Sequence, residues 1–369
     1  QILGPRHRDT LTSRNNLANA YQAAGNLDQA ITLLVQTLAD REQVLGPRHR
    51  DTLTSRNNLA LAYQAAGNLD QAIALHEQTL ADRERILGPR HRDTLASRNN
   101  LALAYQAAGN LDQAIALHEQ TLTDTEQALG PRHPDTLTSR NNLATAYRDA
   151  GKLDQAIILH EQNLADRERI LGPRDPQTLA SRNNLAYAYR AAGKLDRAIA
   201  LFEQNLTDRE RILGPHHPDT LDSRGNLAGA YRDAGNLDQA IILHEQTLAD
   251  RERILGPRHP DTLISRGNLA LAYRDAGKLD QAIALFEQTL ADYEQVLGPR
   301  HRDTLASRNN LATAYRDAGD LDQAIPLFEQ NLTDTEQVLG PRHPDTLASR
   351  GNLATAYRDA GDLDQAIPL

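Results

Sequence analysis

Asn16, Asn58, Asn100, Asn142, Asn184, Asn226, Asn268, Asn310 and Asn352 stand 42 residues apart without exception. The position before each is also Asn in six cases, Asn141 and Asn183 among them, and is Gly225, Gly267 or Gly351 in the other three. A carboxamide carries two N–H donors and an acceptor oxygen. A row of them at constant spacing can bond the N–H and C=O groups of an extended peptide whatever its side chains, or can bond neighbouring helices as a ladder. A second row, from Arg14 through Arg140 to Arg350, has the same period. It reads mainly as structural, its stem covering apolar surface while the guanidinium reaches a carboxylate or a ligand.

Catalytic and metal chemistry are not expected. Of the thirteen histidines, most fall in the turn phrase (His7, His49, His91), while His76, His118, His160 and His244 share a position that elsewhere holds Leu34, Phe202, Phe286 and Phe328. Interchange with Phe and Leu points to packing. Members of one row lie a packed-helix spacing apart, roughly 10 Å, too far to share a metal ion held at about 2 Å. There is no phosphate-cradling glycine loop and no nucleophile elbow, and Asp and Glu pairs recur in every repeat, whereas an active site is an exception to a repeat. The expectation is a non-enzyme with no catalytic residue, metal or cofactor.

The elements that must position these rows follow from the period. Leu3-Gly4-Pro5-Arg6-His7 returns at Leu45-Gly46-Pro47-Arg48-His49 and every 42nd residue through Gly340. A period between about 20 and 50 residues marks a solenoid, whose repeats bury their apolar faces on one another. No Pro/Ser-rich or charge-biased linker interrupts it, so residues 1–369 read as one array of eight full repeats and a partial ninth. Gln1-Ile2-Leu3 matches the end of a repeat (Arg169-Ile170-Leu171) and the chain contains no Met, which reads as a piece of a longer protein. The net charge of −9 is interspersed rather than blocked, which argues against nucleic acid or an anionic membrane as partner. No stretch approaches the roughly 20 apolar residues of a membrane span and no signal peptide is visible. With zero Cys, disulfide scaffolds and thiolate sites drop out, and a cytoplasmic location is the expectation.

Within the repeat from Pro134 to Leu171, Leu137, Leu143, Ala144, Tyr147 and Ala150 fall at helical intervals, as do Leu153, Ala156, Ile157, Leu164 and Leu171. The first helix is predicted to start near Pro134-Asp135 and to end before Gly151. The second is predicted from about Asp154 to Leu171, stopped by Gly172-Pro173. A short connection makes the two antiparallel, so the fold class is all-α. The Tyr row, from Tyr21 through Tyr147 to Tyr357, is assigned to packing. Pro326 and Pro368 are expected to bend or tighten the starts of the last second helices.

The run from Asn141 to Ile157, with Leu143, Ala144, Tyr147, Gly151, Leu153 and Ala156 at signature positions, resembles the tetratricopeptide repeat over the whole chain. The 42-residue period, the His133-Pro134-Asp135 lead-in and the paired Asn are most similar to the repeats of kinesin light chains. The sequence departs from the family where Arg140 replaces a large apolar residue and where Asn163 or Thr121 stands at a small-residue position.

The resemblance implies a right-handed superhelical solenoid whose concave groove takes peptides. The groove residues it points to are Asn58, Asn100, Asn141, Asn142, Asn183, Asn184, Asn226, Asn268 and Asn310, with Leu61, Leu103, Tyr187 and Leu271 on the variable row four residues after Asn141. Those four are expected to be exposed, giving choice among ligands while the amides give affinity; drift at exposed sites is the alternative. After the Tyr row, Gln22, Gln64 and Gln106 give way to Arg148, Arg190, Arg232 and later Arg, mostly followed by Asp. An acidic ligand segment would prefer that later half, unless the Arg-Asp neighbours neutralise each other.

Three functions follow as expectations: a scaffold binding a protein or peptide partner in the groove; a structural array that associates with itself end to end; or the sensor arm of a bacterial signalling ATPase, on family analogy alone.

Overall fold

The structure, a computed structural model, describes residues 4–367. Contacts divide the chain into two compact units, Gln1–Ala192 and Gly193–Leu369. The first holds α1 (Arg8–Ala23), α2 (Leu27–Leu45), α3 (Arg50–Ala65), α4 (Leu69–Leu87), α5 (Arg92–Ala107), α6 (Leu111–Leu129), α7 (Pro134–Asp149), α8 (Leu153–Leu171) and α9 (Pro176–Ala191). The second holds α10 (Leu195–Leu213), α11 (Pro218–Asp233), α12 (Leu237–Leu255), α13 (Pro260–Asp275), α14 (Leu279–Leu297), α15 (Arg302–Asp317), α16 (Leu321–Leu339), α17 (Pro344–Asp359) and α18 (Leu363–Ala366). Within each unit consecutive helices pack on one another, and the described residues contain no strand. The fold is an all-helical solenoid of 42-residue repeats.

Local chemistry explains the boundaries. At the start of α7, the Nδ1 of His133 accepts a hydrogen bond from the N–H of Asp135 at 3.2 Å, and Pro134 occupies the first helical turn, where a missing N–H has no cost. Equivalent histidines cap the other first helices, with Asp175 in that role for α9. Gly151 (φ 72°) and Gly172 (φ 90°) close α7 and α8 in the left-handed region that glycine enters freely. Pro326 lies inside α16, which continues through it, while Pro368 lies outside the described residues.

Small alanines let the helices approach. In the first unit, Ala18 and Ala62 pack with Leu34, Leu38 and Leu59; in the second, Ala270, Ala272 and Ala282 pack with Leu269, Phe286 and Leu290. Each buried Leu or Phe contributes about 2 kcal/mol. The Tyr row contributes its ring to this packing and, from Tyr105 onward, its hydroxyl to a hydrogen bond. Tyr105 donates to Glu77 and Tyr147 to Glu119, each at 2.5 Å. For Tyr105 the bond to Glu77, then burial, pushes the phenol up to about 12, so it stays a donor.

The departure at Arg140 is resolved by a clamp. Arg98, fully buried, donates from Nη1 to Asp124 (2.7 Å) and from Nη2 to Glu84 (2.9 Å) and to the carbonyl of Pro89 (3.4 Å). Arg308 does the same in the second unit, to Asp334 (2.8 Å), Glu294 (2.9 Å) and the Pro299 carbonyl (3.2 Å). Each guanidinium joins the second helix of its own repeat, the second helix of the previous repeat and the turn between them. Truncating Arg98 to Ala leaves two carboxylates facing a hole, and the expected cost, read from urea unfolding midpoints, is about 3–5 kcal/mol.

His76, His118 and His160 in the first unit are buried, and neither ring nitrogen of any of them has a hydrogen-bond partner. Burial holds all three down to about 4, with Arg148 adding repulsion at His160. The unfolded chain, titrating near 6.5, therefore binds more protons between those values. Stability is complete above about pH 6.5 and falls as pH drops towards 4, by up to about 3 kcal/mol per imidazole. Replacing the three by Phe, as at Phe202, is expected to flatten the loss of melting temperature between neutral pH and about 4.5; an unchanged slope would place the acid sensitivity elsewhere.

Candidate functional site

The asparagine rows lie side by side on the first helices. In the first unit, Asn58 on α3 donates to Asn15 on α1 at 3.2 Å, Asn100 to Asn57 at 2.9 Å, Asn142 to Asn99 at 2.6 Å and Asn184 to Asn141 at 2.8 Å. The rows thus form a ladder in which one amide of each repeat bonds the other amide of the repeat before. These side chains are mostly only partly buried, and one bond uses part of a carboxamide's capacity. Asn183 on α9 and Asn226 on α11 are likewise half-buried.

In the second unit the ladder is interrupted. Asn352 bonds Asn309 at 2.9 Å, but Asn268 and Asn310 stand where the preceding repeats carry Gly225 and Gly267, which offer no carboxamide. A Cβ at either glycine would meet nothing within 4 Å. The backbone there is open, on a helix face where glycine costs about 1 kcal/mol relative to Ala.

The variable row is mixed in exposure. Leu61 and Leu103, 36% and 39% exposed, line with Asn100 a shallow hollow of ≈ 460 Å³ edged by Gln22 and Gln64. Three residues expected in the site are therefore brought together. Tyr187 and Leu271 are only half exposed, contrary to expectation, and Leu271 packs against the cluster around Leu269 and Phe286. The physical reason is its neighbours, whose bulk covers one side of it.

The expected charge contrast is muted by local pairing. Arg148 donates to Asp149 from Nε (3.1 Å) and Nη2 (2.8 Å), and Gln106 donates to the other oxygen of Asp149. Arg190 is half-buried on α9. In the second unit, Asp275 lies 3.3 Å from Arg274 and 3.5 Å from Arg232, and Asp317 lies 3.3 Å from Arg316 and 3.8 Å from Arg274. This face is a neutralised zipper.

A row that sequence reading passed over lies on the second helices: Arg41, Arg83, Arg167, Arg209 and Arg251, with Thr125, Tyr293 and Thr335 in the remaining full repeats. Arg83 donates from Nη1 to the Asp93 carbonyl (2.9 Å) and to Ser97 Oγ (2.7 Å), bridging to the next repeat. The signal available was the irregularity of the row. Among the described residues no group of three or more His, Asp or Glu is placed to hold a metal ion, and no helix is long and apolar enough to cross a membrane.

Paired helices of constant length, closed by glycine and stacked through a repeated core, define a helical-repeat solenoid. The tetratricopeptide repeat family matches residues 9–85, 51–125, 93–169, 142–207, 177–253, 225–295, 268–332 and 303–369, and the chain belongs to that family. No curated protein sequence matches it significantly. Among solved structures, the nearly identical TPR-like repeats of a protein described as a kinesin light chain from Podosopora anserina are 36% identical. They cover 57% of this chain and 98% of that chain, with a TM-score of 0.51. A signal transduction ATPase with a tetratricopeptide repeat sensor, from Pyrococcus horikoshii, is 14% identical over 99% of this chain and 52% of its own, with a TM-score of 0.56. The apo form of the quorum sensor NprR from B. thuringiensis is 13% identical over 98% and 96%, with a TM-score of 0.57. The last two share the fold alone.

Restoring the ladder by Gly225→Asn with Gly267→Asn is expected to stabilise the protein by about 1 kcal/mol per site, from helix propensity and one added hydrogen bond. Calorimetric melting measures this, and a fall in melting temperature would show that the open backbone is not free to accept a side chain.

Proposed function

We propose that the chain is a non-catalytic scaffold that holds an extended or helical peptide segment of a protein partner along its asparagine rows. The observation that carries this reading is the hollow where Leu61, Leu103 and Asn100 meet, a partly exposed apolar surface beside amides with unused bonding capacity. Exposed leucines grouped beside polar groups mark interaction surfaces. The amides supply bonds to any backbone, and the variable row supplies choice. Membership of the tetratricopeptide repeat family supports a partner-binding role, and the quorum sensor and ATPase sensor that share the fold are compatible with a sensing version of it.

A second reading is association of copies of the chain. Such copies would stack by the contacts that join repeat to repeat within the chain. Sedimentation velocity over a concentration series separates the two, a ladder of growing species favouring association.

Peptides selected by display on the intact chain are expected to bind about tenfold more weakly to the Asn142→Ala, Asn184→Ala double variant, whatever their sequence. Tyr187→Ala is expected to reorder their affinities instead. Fluorescence anisotropy reads both, and unchanged binding in both variants overturns the peptide-binding reading.

A further inference from the structure

The second-helix arginines seat a guanidinium at a fixed place. Arg41 donates from Nη1 to the Asp51 carbonyl and to Ser55 Oγ, both at 2.8 Å. Arg83 repeats this at Asp93 and Ser97, Arg209 at Asp219 and Ser223, and Arg251 at Asp261 and Ser265, all between 2.7 and 2.9 Å. Arg167 reaches the Gln177 carbonyl at 2.9 Å while Ser181 Oγ goes unbonded. In the other four repeats a backbone carbonyl and a serine hydroxyl at the start of the next repeat form an acceptor pair for one N–H face of a guanidinium.

In the third repeat the arginine is replaced by Thr125, and the seat is empty of side chain. Thr125 bonds its own helix at the Leu122 carbonyl (2.9 Å). A pocket of ≈ 320 Å³ opens there, walled by Leu95, Asn99, Thr125, Leu129, Ser139 and Asn142, with Asp135 and the cations Arg90 and Arg92 also lining it. That volume falls within the roughly 300–1,000 Å³ of ligand pockets. The acceptor pair survives as the Asp135 carbonyl and Ser139 Oγ, which now bond each other at 3.0 Å. Ser139 is 8% exposed where Ser55 and Ser97 are fully buried.

The charges around the seat are also retained. Burial lowers the pKa of resident Arg41 and Arg83; the carboxylates of Asp51 and Asp93 oppose that shift, and Arg8 and Arg50 add to it. Their equivalents, Asp135 and Arg92, both line the open pocket. The other replacements close the gap differently: Tyr293 fills it and is buried, and beside Thr335 the amide of Asn331 reaches Ser349 Oγ at 3.3 Å.

We propose that the Thr125 pocket takes an arginine side chain of a bound peptide, the ligand's guanidinium standing where four other repeats place their own. The proposal rests on the peptide-binding reading, since Asn99 and Asn142 of the amide rows form one wall. A flat, weakly hydrated guanidinium suits a slot with apolar sides better than a strongly hydrated ammonium.

The test is NMR titration of the intact chain with N-acetyl-arginine methylamide, and with N-acetyl-lysine methylamide for contrast, following the amides of Thr125, Ser139 and Asn142. The arginine probe is expected to give saturable shifts at millimolar concentration, at least fivefold tighter than the lysine probe. Thr125→Arg, which resupplies the resident side chain, is expected to abolish them and to melt at a higher temperature than the parent. No saturable shift, equal response to both probes, or shifts that persist in Thr125→Arg would overturn the proposal. Display-selected peptides without arginine preference that bind Thr125→Arg unchanged would overturn the pocket and leave the scaffold standing. No selected peptide despite arginine-probe binding would overturn the scaffold and leave the pocket.

Discussion

A guanidinium buried between successive repeats is the interaction on which the remaining structure depends. Arg56 shows its reach: Nη1 to Asp82 at 2.8 Å, Nη2 to Glu42 and to the Pro47 carbonyl, both at 3.1 Å. The second oxygen of Asp82 accepts from Arg48 in the turn phrase at 3.2 Å. One arginine therefore fastens two second helices and the turn that joins them, and a one-residue slip would strand a charge that water cannot reach. Apolar packing alone is indifferent to small slips between near-identical repeats. The clamp supplies the register that leucines and alanines do not.

Register, in turn, aligns everything on the surface. Because each repeat is held at one offset from the last, Asn184 meets Asn141 and Asn142 meets Asn99 along a continuous ladder. Where Gly225 and Gly267 interrupt it, the helices continue unaltered, since the ladder is a consequence of the stacking and not its cause. The buried imidazoles fit the same logic. At the position shared by Leu34, His118 and Phe286 the core takes a side chain of moderate size, and a neutral imidazole supplies the bulk at the expense of tolerance to acid.

The surface also shows how repeats diverge once the scaffold is secured. The clamp arginine is present in every repeat, whereas the bridging arginine of the second helix is dispensable, as Thr125 shows. At Thr125, loss of the bridge leaves its acceptors in place and opens a pocket beside the amide rows. The tetratricopeptide fold fixes where such pockets arise, and the side chains around them decide what enters.

Much of this was legible in the sequence. The 42-residue period, the helix ends at Pro134, Gly151 and Gly172, the packing role of Tyr147 and the structural role of the Arg140 row follow from short-range rules, because helix periodicity, capping and glycine's backbone freedom act within a few residues. Tertiary structure alone decided the partners. Arg98 finds Asp124 and Glu84 at separations of 26 and 14 residues, and the amides pair at a separation of 43. Leu271 is partly covered although its pattern matches exposed Leu103. The open seat at Thr125 exists only because Ser139 arrives from the next repeat. These depend on the angle and offset at which helices stack, set by the summed contacts of residues far apart in the chain, which no local pattern encodes.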